Sequence, residues 1–134
     1  MVIFVDTSAL FALISGRDVN HQRAKAQWRA WLDSPDDFII SNYVLLETTA
    51  LLQSRLGMQA VQDFHDLLLP VMTVYWITEA IHKKALQTLL VANRRRLSLV
   101  DCTSFAVMNA LGLQSAFTFD DHFAQAGFIL LPGS

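Results

Sequence analysis

The chain has a single cysteine, Cys102, in its 134 residues. No disulfide can form within it, so a stapled, loop-rich scaffold is excluded. Prolines number three and glycines five, too few for a fibrous or low-complexity segment. The glycines are also dispersed, and neither a Gly-x-Gly-x-x-Gly fingerprint nor a Walker loop is present, which removes the usual phosphate cradles of nucleotide cofactors. The histidines, His21, His65, His82 and His122, match no zinc-ligand spacing. No apolar run reaches the roughly 18 residues of a membrane span, and the first residues lack the basic start and long apolar stretch of a signal peptide. A soluble, cytoplasmic protein without a membrane partner is the expectation. Neither sign of charge dominates: ten Lys and Arg against twelve Asp and Glu leave a net charge of −2, which gives no global basic field for nucleic acid.

What remains is a chain 53% hydrophobic and 16% charged, with the size and apolar content of one domain with a substantial core. Short apolar runs at residues 2–5, 38–40, 72–76, 116–119 and 128–131 read as buried strands. Helical patterns lie between them, at 9–14, 19–32, 42–56, 58–69, 78–91 and 98–111. Gly57 separates the third from the fourth, Pro70 stops the fourth and Gly112 stops the last. Continuous apolar strands alternating with helices imply a parallel sheet covered on both faces. The predicted architecture is therefore an α/β/α three-layer sandwich of about five strands, one domain over residues 1–134. Trp28, Trp31, Phe64 and Trp76 are expected in the core or at an interface rather than as stacking platforms.

In an open parallel sheet, ligands bind beyond the carboxyl ends of the strands, where the strand order reverses. Two aspartates fall at such ends. Asp6 follows the first strand and opens Asp6, Thr7, Ser8; Asp120 follows the fourth and opens Asp120, Asp121, His122, Phe123. Either alone is readily explained as a helix N-cap. Glu47 is the only charge in residues 42–54, a helix apolar on nearly every side and so expected to be buried almost all round. A buried carboxylate needs a partner, and positions 43, 44, 50 and 51 offer Tyr, Val, Ala and Leu. A long-range salt bridge or a narrow exposed face is the other explanation. Asp101 closes Ser98, Leu99, Val100, Asp101, a capping-box spacing at the start of another mostly apolar helix. If the four acids converge, their repulsion calls for a hard divalent cation, Mg²⁺ or Mn²⁺, with oxygen ligands.

This set of residues resembles the PIN-domain ribonucleases, in particular the VapC-type toxins of toxin–antitoxin pairs. The resemblance spans essentially the whole chain. Its carriers are Asp6-Thr-Ser8, Glu47, Ser98 to Asp101, and Thr118-Phe-Asp120 with Phe123. It implies a metal-dependent endoribonuclease with Asp6, Glu47, Asp101 and Asp120 as catalytic metal ligands and Thr7, Ser8 and Thr118 as neighbouring polar groups. The family's Thr-x-Asp pattern selects Asp120 over Asp121, which is left to cap the next short helix. A cognate antitoxin partner is implied as well.

Without the four proposed ligands the net charge becomes −2 + 4 = +2. The mildly basic remainder includes Arg94, Arg95 and Arg96 with Lys83 and Lys84, a candidate patch for RNA phosphates or for an antitoxin segment; a solvated bend is the plain alternative. The apolar balance also predicts a homodimer. Other readings of strand-end acids fare worse. A phospho-accepting receiver needs paired acids after the first strand, and a haloacid-dehalogenase-type phosphatase needs Asp-x-Asp. A metal-dependent phosphatase or DNase, and a PIN-fold module that binds RNA or protein without cutting, remain as alternatives.

Overall fold

Strand β1 (Val2–Val5) is the middle of a five-stranded sheet in which every pairing is parallel. The computed structural model describes residues 1–133. From β1 the chain passes through α1 (Thr7–Ile14) and α2 (His21–Trp31) to β2 (Asp37–Ser41), which lies beside β1. Helices α3 (Asn42–Leu56) and α4 (Met58–Asp63), a π-helical turn at Phe64–Leu68 and a 3-10 turn at Leu69–Val71 lead to β3 (Met72–Tyr75) at the edge. The chain then returns through α5 (Glu79–Ala92) and α6 (Leu99–Leu111) to β4 (Ser115–Phe117), on the other side of β1. Helix α7 (His122–Gln125) and the edge strand β5 (Ile129–Leu131) complete the order β3-β2-β1-β4-β5. Helices cover both sides of the sheet, so the three-layer α/β reading is met.

The order reverses between β1 and β4, the switch point at which open sheets of this kind hold their ligands. Ile3, Phe4 and Val5 of β1 are fully buried, as a strand covered on both faces requires. Phe117 on β4 meets Trp31 edge-on with ring centroids 5.0 Å apart, and Trp28 at 6.4 Å. A smaller cluster of Ala85, Leu97 and Cys102 joins α5 to α6. Local signals set the helix ends: Ser41 Oγ accepts from Val44 N at 3.1 Å to start α3, and Ser98 and Asp101 form the anticipated capping box of α6. Gly57, at φ 95°, lets the chain break between α3 and α4, where a Cβ would be strained.

Several expectations are corrected. Strand β4 stops at Phe117: Thr118 N still donates to Leu131 O of β5, but the next amide, Phe119 N, turns away to donate to Ser8 Oγ. The helix read over 58–69 is regular only to Asp63 and then widens into the π turn ahead of Pro70. Helix α3 is not buried all round: Val44, Thr48 and Leu52, one turn apart, face inward, while Leu46 is 70% exposed. Trp31 and Phe64 are core, and Trp76, 68% exposed, lies at the surface, which removes the core and leaves the interface half of its expectation. No helix among the described residues is long and apolar enough to cross a membrane.

Truncating the aromatic centre of the β4 contact tests this packing. Phe117→Ala is expected to cost about 3–5 kcal/mol, seen as a lower urea midpoint, whereas Val19→Ala, at a position 92% exposed, should stay within about 0.5 kcal/mol.

Candidate active site

Asp6 ends β1 and caps α1, so one side chain serves two elements. Its Oδ2 accepts from Ser8 N at 3.3 Å, Ser8 Oγ at 2.7 Å and Thr118 Oγ1 at 2.9 Å. Among the described residues Oδ1 accepts no hydrogen bond. Thr118, immediately after β4, is itself held by Asp120 N, which donates to its Oγ1 at 3.0 Å. Asp6, Ser8, Thr118 and Asp120 therefore form one hydrogen-bonded chain across the β1–β4 switch point. The hydroxyls of Ser8 and Thr118 are committed to it as supports for the carboxylate. Thr7 accepts from Thr48 Oγ1 at 3.1 Å and stands beside Glu47.

The other acids come from separate elements. Glu47 projects from α3, half-buried, and Asp101 from the first turn of α6, where Oδ2 accepts from Ser98 N at 3.3 Å. Asp120 Oδ1 accepts from His122 N at 2.9 Å, so Asp120 rather than Asp121 bonds the opening of α7. Asp121 occupies the N-cap position with no capping bond, and its side chain is exposed. Three aspartates share a pattern in which one oxygen is pinned by the protein and the other, among the described residues, accepts no hydrogen bond, as a ligand oxygen should.

The four acids act on one another's ionisation through space. Burial pushes Asp6 up from 3.8 to about 6; the hydroxyl of Ser8 works against that shift, and Asp101 and Asp120 add to it. Glu47 is raised by desolvation and further by Asp6 and Asp120, with the Thr7 hydroxyl opposing. Asp101 is raised by desolvation and by Asp120, opposed by the Ser98 bonds and by His122.

His122 is the residue that sequence reasoning passed over. Its buried Nδ1 lies 3.0 Å from Asp120 Oδ1 and 3.6 Å from Asp101 Oδ2, yet makes no well-angled hydrogen bond. Ligand atoms of Asp101, Asp120 and His122 all lie within 4.8 Å of one another. A search for paired zinc ligands discards a lone histidine; its position two residues after a strand-end aspartate was the available signal. Carboxylate oxygens without protein donors, mutual repulsion and an orphaned imidazole nitrogen together fit a divalent cation.

The basic residues divide. Arg94, Arg95 and Arg96 are exposed in the bend that leads into α6, and Arg94 Nη1 donates to Gln125 Oε1 of α7 at 2.9 Å. The bend is thus tied to the helix that follows Asp120. Lys83 is paired with Glu79 at 2.9 Å on the open face of α5, and Lys84 is exposed on the same helix.

The raised acids carry a sign for stability. Between 3.8 and about 6 the folded chain holds the Asp6 proton more tightly than the unfolded chain, so stability contributed by this group falls as pH rises through that window. Glu47 and Asp101 shift in the same direction. In EDTA, thermal melts of Asp6→Asn should match or exceed wild type near pH 7, with a gain of up to about 3 kcal/mol that disappears toward pH 4.

The chain is similar to known proteins over nearly its whole length. The PIN domain family model matches residues 3–129. The 23S rRNA-specific endonuclease VapC20 of Mycobacterium tuberculosis is 40% identical over 129 residues, covering 96% of both chains. The crystal structure of M. tuberculosis VapC20, described as a sarcin-ricin loop cleaving toxin, superposes with a TM-score of 0.85 at 38% identity, over 95% of this chain and 96% of that one. VapBC2 from Rickettsia felis, solved with a promoter DNA fragment, shares the fold at a TM-score of 0.72 and 13% identity, with 97% of each chain covered. The chain, with its acids gathered at the β1–β4 switch point, belongs to the PIN domain family.

Proposed function

We propose that the protein is a metal-dependent endoribonuclease that acts as the toxin of a toxin–antitoxin pair. The observation that carries this reading is the gathering of Asp6, Glu47, Asp101 and Asp120, each from a different element and four of them coupled through space, with unpinned oxygens. Asp6, Asp101 and Asp120 would hold Mg²⁺ or Mn²⁺, with Glu47 as a further ligand or as the group that orients the attacking water. When bound, the cation supplies an activated water and offsets charge on the phosphate. Ser8 and Thr118 fix the direction of the Asp6 carboxylate, and Ser98 fixes that of Asp101. Arg94 to Arg96 give the RNA backbone a cationic approach beside α6 and α7. The named activity of VapC20 supports RNA over DNA or a small phosphoester and makes 23S rRNA the first substrate to test. The structural neighbours VapBC2 and the Klebsiella pneumoniae toxin–antitoxin complex, which share this fold, support a protein antitoxin.

The test is to incubate the protein with ribosomal and mixed RNA in EDTA, Mg²⁺ or Mn²⁺ and to map new ends. Cleavage is expected only with metal, and Asp6→Asn and Asp101→Asn should each lose more than about 100-fold, since even groups behind metal ligands are worth about 10- to 100-fold. Binding of RNA by the wild type without any cleavage would instead make the chain a non-catalytic module.

A homodimer is part of the same reading. Leu86 and Leu90, one turn apart on α5, are 37% and 68% exposed, Val91 is 87% exposed, and Trp76 and Leu46 add apolar surface. Sedimentation should give a dimer at micromolar concentration and a monomer for Leu86→Asp with Leu90→Asp; a monomeric wild type would overturn it.

A further inference from the structure

We infer that the cavity beside the carboxylates is a base-recognition subsite, which takes one unstacked nucleobase of the RNA next to the scissile phosphate. This rests on the ribonuclease reading and specifies how such an enzyme would choose where to cut.

The cavity has a volume of about 440 Å³ and is lined among others by Asn20, Arg23, Thr118, Phe119, Asp121 and Phe128. That volume lies within the range of small-ligand sites. Its position is set by the catalytic scaffold: Thr118, which donates to Asp6, forms part of its wall, and Phe119 N is held by Ser8 Oγ at 3.0 Å. The segment from Thr118 to Asp121 thus presents Asp120 to the acid cluster and Phe119 with Asp121 to the cavity. A base entering here would leave its phosphate at the carboxylates.

The chemistry of the lining favours a base over a phosphate. The guanidinium of Arg23 lies over the Phe119 ring, 5.3 Å from its centroid, and donates to the carbonyl oxygen of Gly133. Part of its donor capacity is therefore already used. The exposed Asp121 carboxylate would repel a phosphate but accepts from the N–H groups on a base edge. Asn20 begins α2 without capping it, so its amide is free of the usual N-cap bond and can pair with either kind of edge atom. An aromatic face, a planar guanidinium, an amide and a carboxylate are the elements with which proteins read splayed single-stranded bases. A base with N–H donors on the edge turned to Asp121 matches the set.

The test uses the full chain, Mg²⁺ and a short RNA carrying the mapped cleavage site, made intact and with an abasic ribonucleotide on either side of the scissile bond. Wild type is expected to lose about 5- to 150-fold in kcat/KM on one of the abasic RNAs, the worth of stacking one base. Phe119→Ala should lose a similar factor on intact RNA and show no further loss on that abasic RNA. Asn20→Ala and Arg23→Gln, both at the surface, should blunt the same discrimination without altering Mn²⁺ affinity, and they keep the test open if Phe119→Ala folds poorly. Asp121→Asn should change which base is preferred at that position. If wild type cuts but all four variants keep its sites, rates and abasic sensitivity, the subsite is overturned and the ribonuclease reading stands. A wild type inert on every RNA overturns both.

Discussion

The bond from Thr118 Oγ1 to Asp6 Oδ2, 2.9 Å long, joins the end of one strand to the end of its neighbour across 112 residues of sequence. Around it everything else in the site is placed. Ser8 adds its own hydroxyl to the same oxygen, Asp120 N anchors on Thr118, and Phe119 N anchors on Ser8. The bond exists because β1 and β4 run side by side in parallel, with Val5 opposite Phe117. A buried carboxylate would ordinarily be expelled or neutralised. Here three donors converge on one oxygen and leave the other for chemistry.

The site is costly to the fold that holds it. Asp6, Glu47 and Asp101 all sit above their ordinary pKa values, because burial and mutual repulsion both disfavour their ionised forms. Such a cluster is unfavourable as structure and informative as function. The compensating apolar packing lies directly beneath, in the fully buried Ile3, Phe4 and Val5 and the aromatic contacts of Phe117. Metal binding would relieve the same repulsion, so stability and activity are coupled through one set of charges.

Much of this was legible in the sequence, for physical reasons. A parallel strand buried on both faces reads as a continuous apolar run, so β1 and β2 stand out, and Ser98 with Asp101 announces the start of α6. What failed shares a cause: hydrophobicity shows that a residue avoids water but not what it packs against. Phe119 looks like strand and instead stacks under Arg23 outside the sheet. The apolar residues of α3 suggest burial all round, yet Leu46 faces outward. Glu47 was singled out by that overstated burial and nonetheless lies beside the other acids. His122 was invisible because its partners, Asp101 and Asp120, meet it only through tertiary structure.

The parallel pairing of β1 with β4 also sets when the site can exist. Asp6 lies far ahead in the chain of the strand that secures it, Ser115–Phe117, which comes, like the acid beyond it, after both long helices of the return crossover. Pairings between segments so far apart in sequence form late in folding, after local helices. A nascent or partly folded chain therefore carries scattered, solvated carboxylates and no cutting centre. The acid cluster is thus a property of the completed sheet and of no segment that folds before β4 is in place.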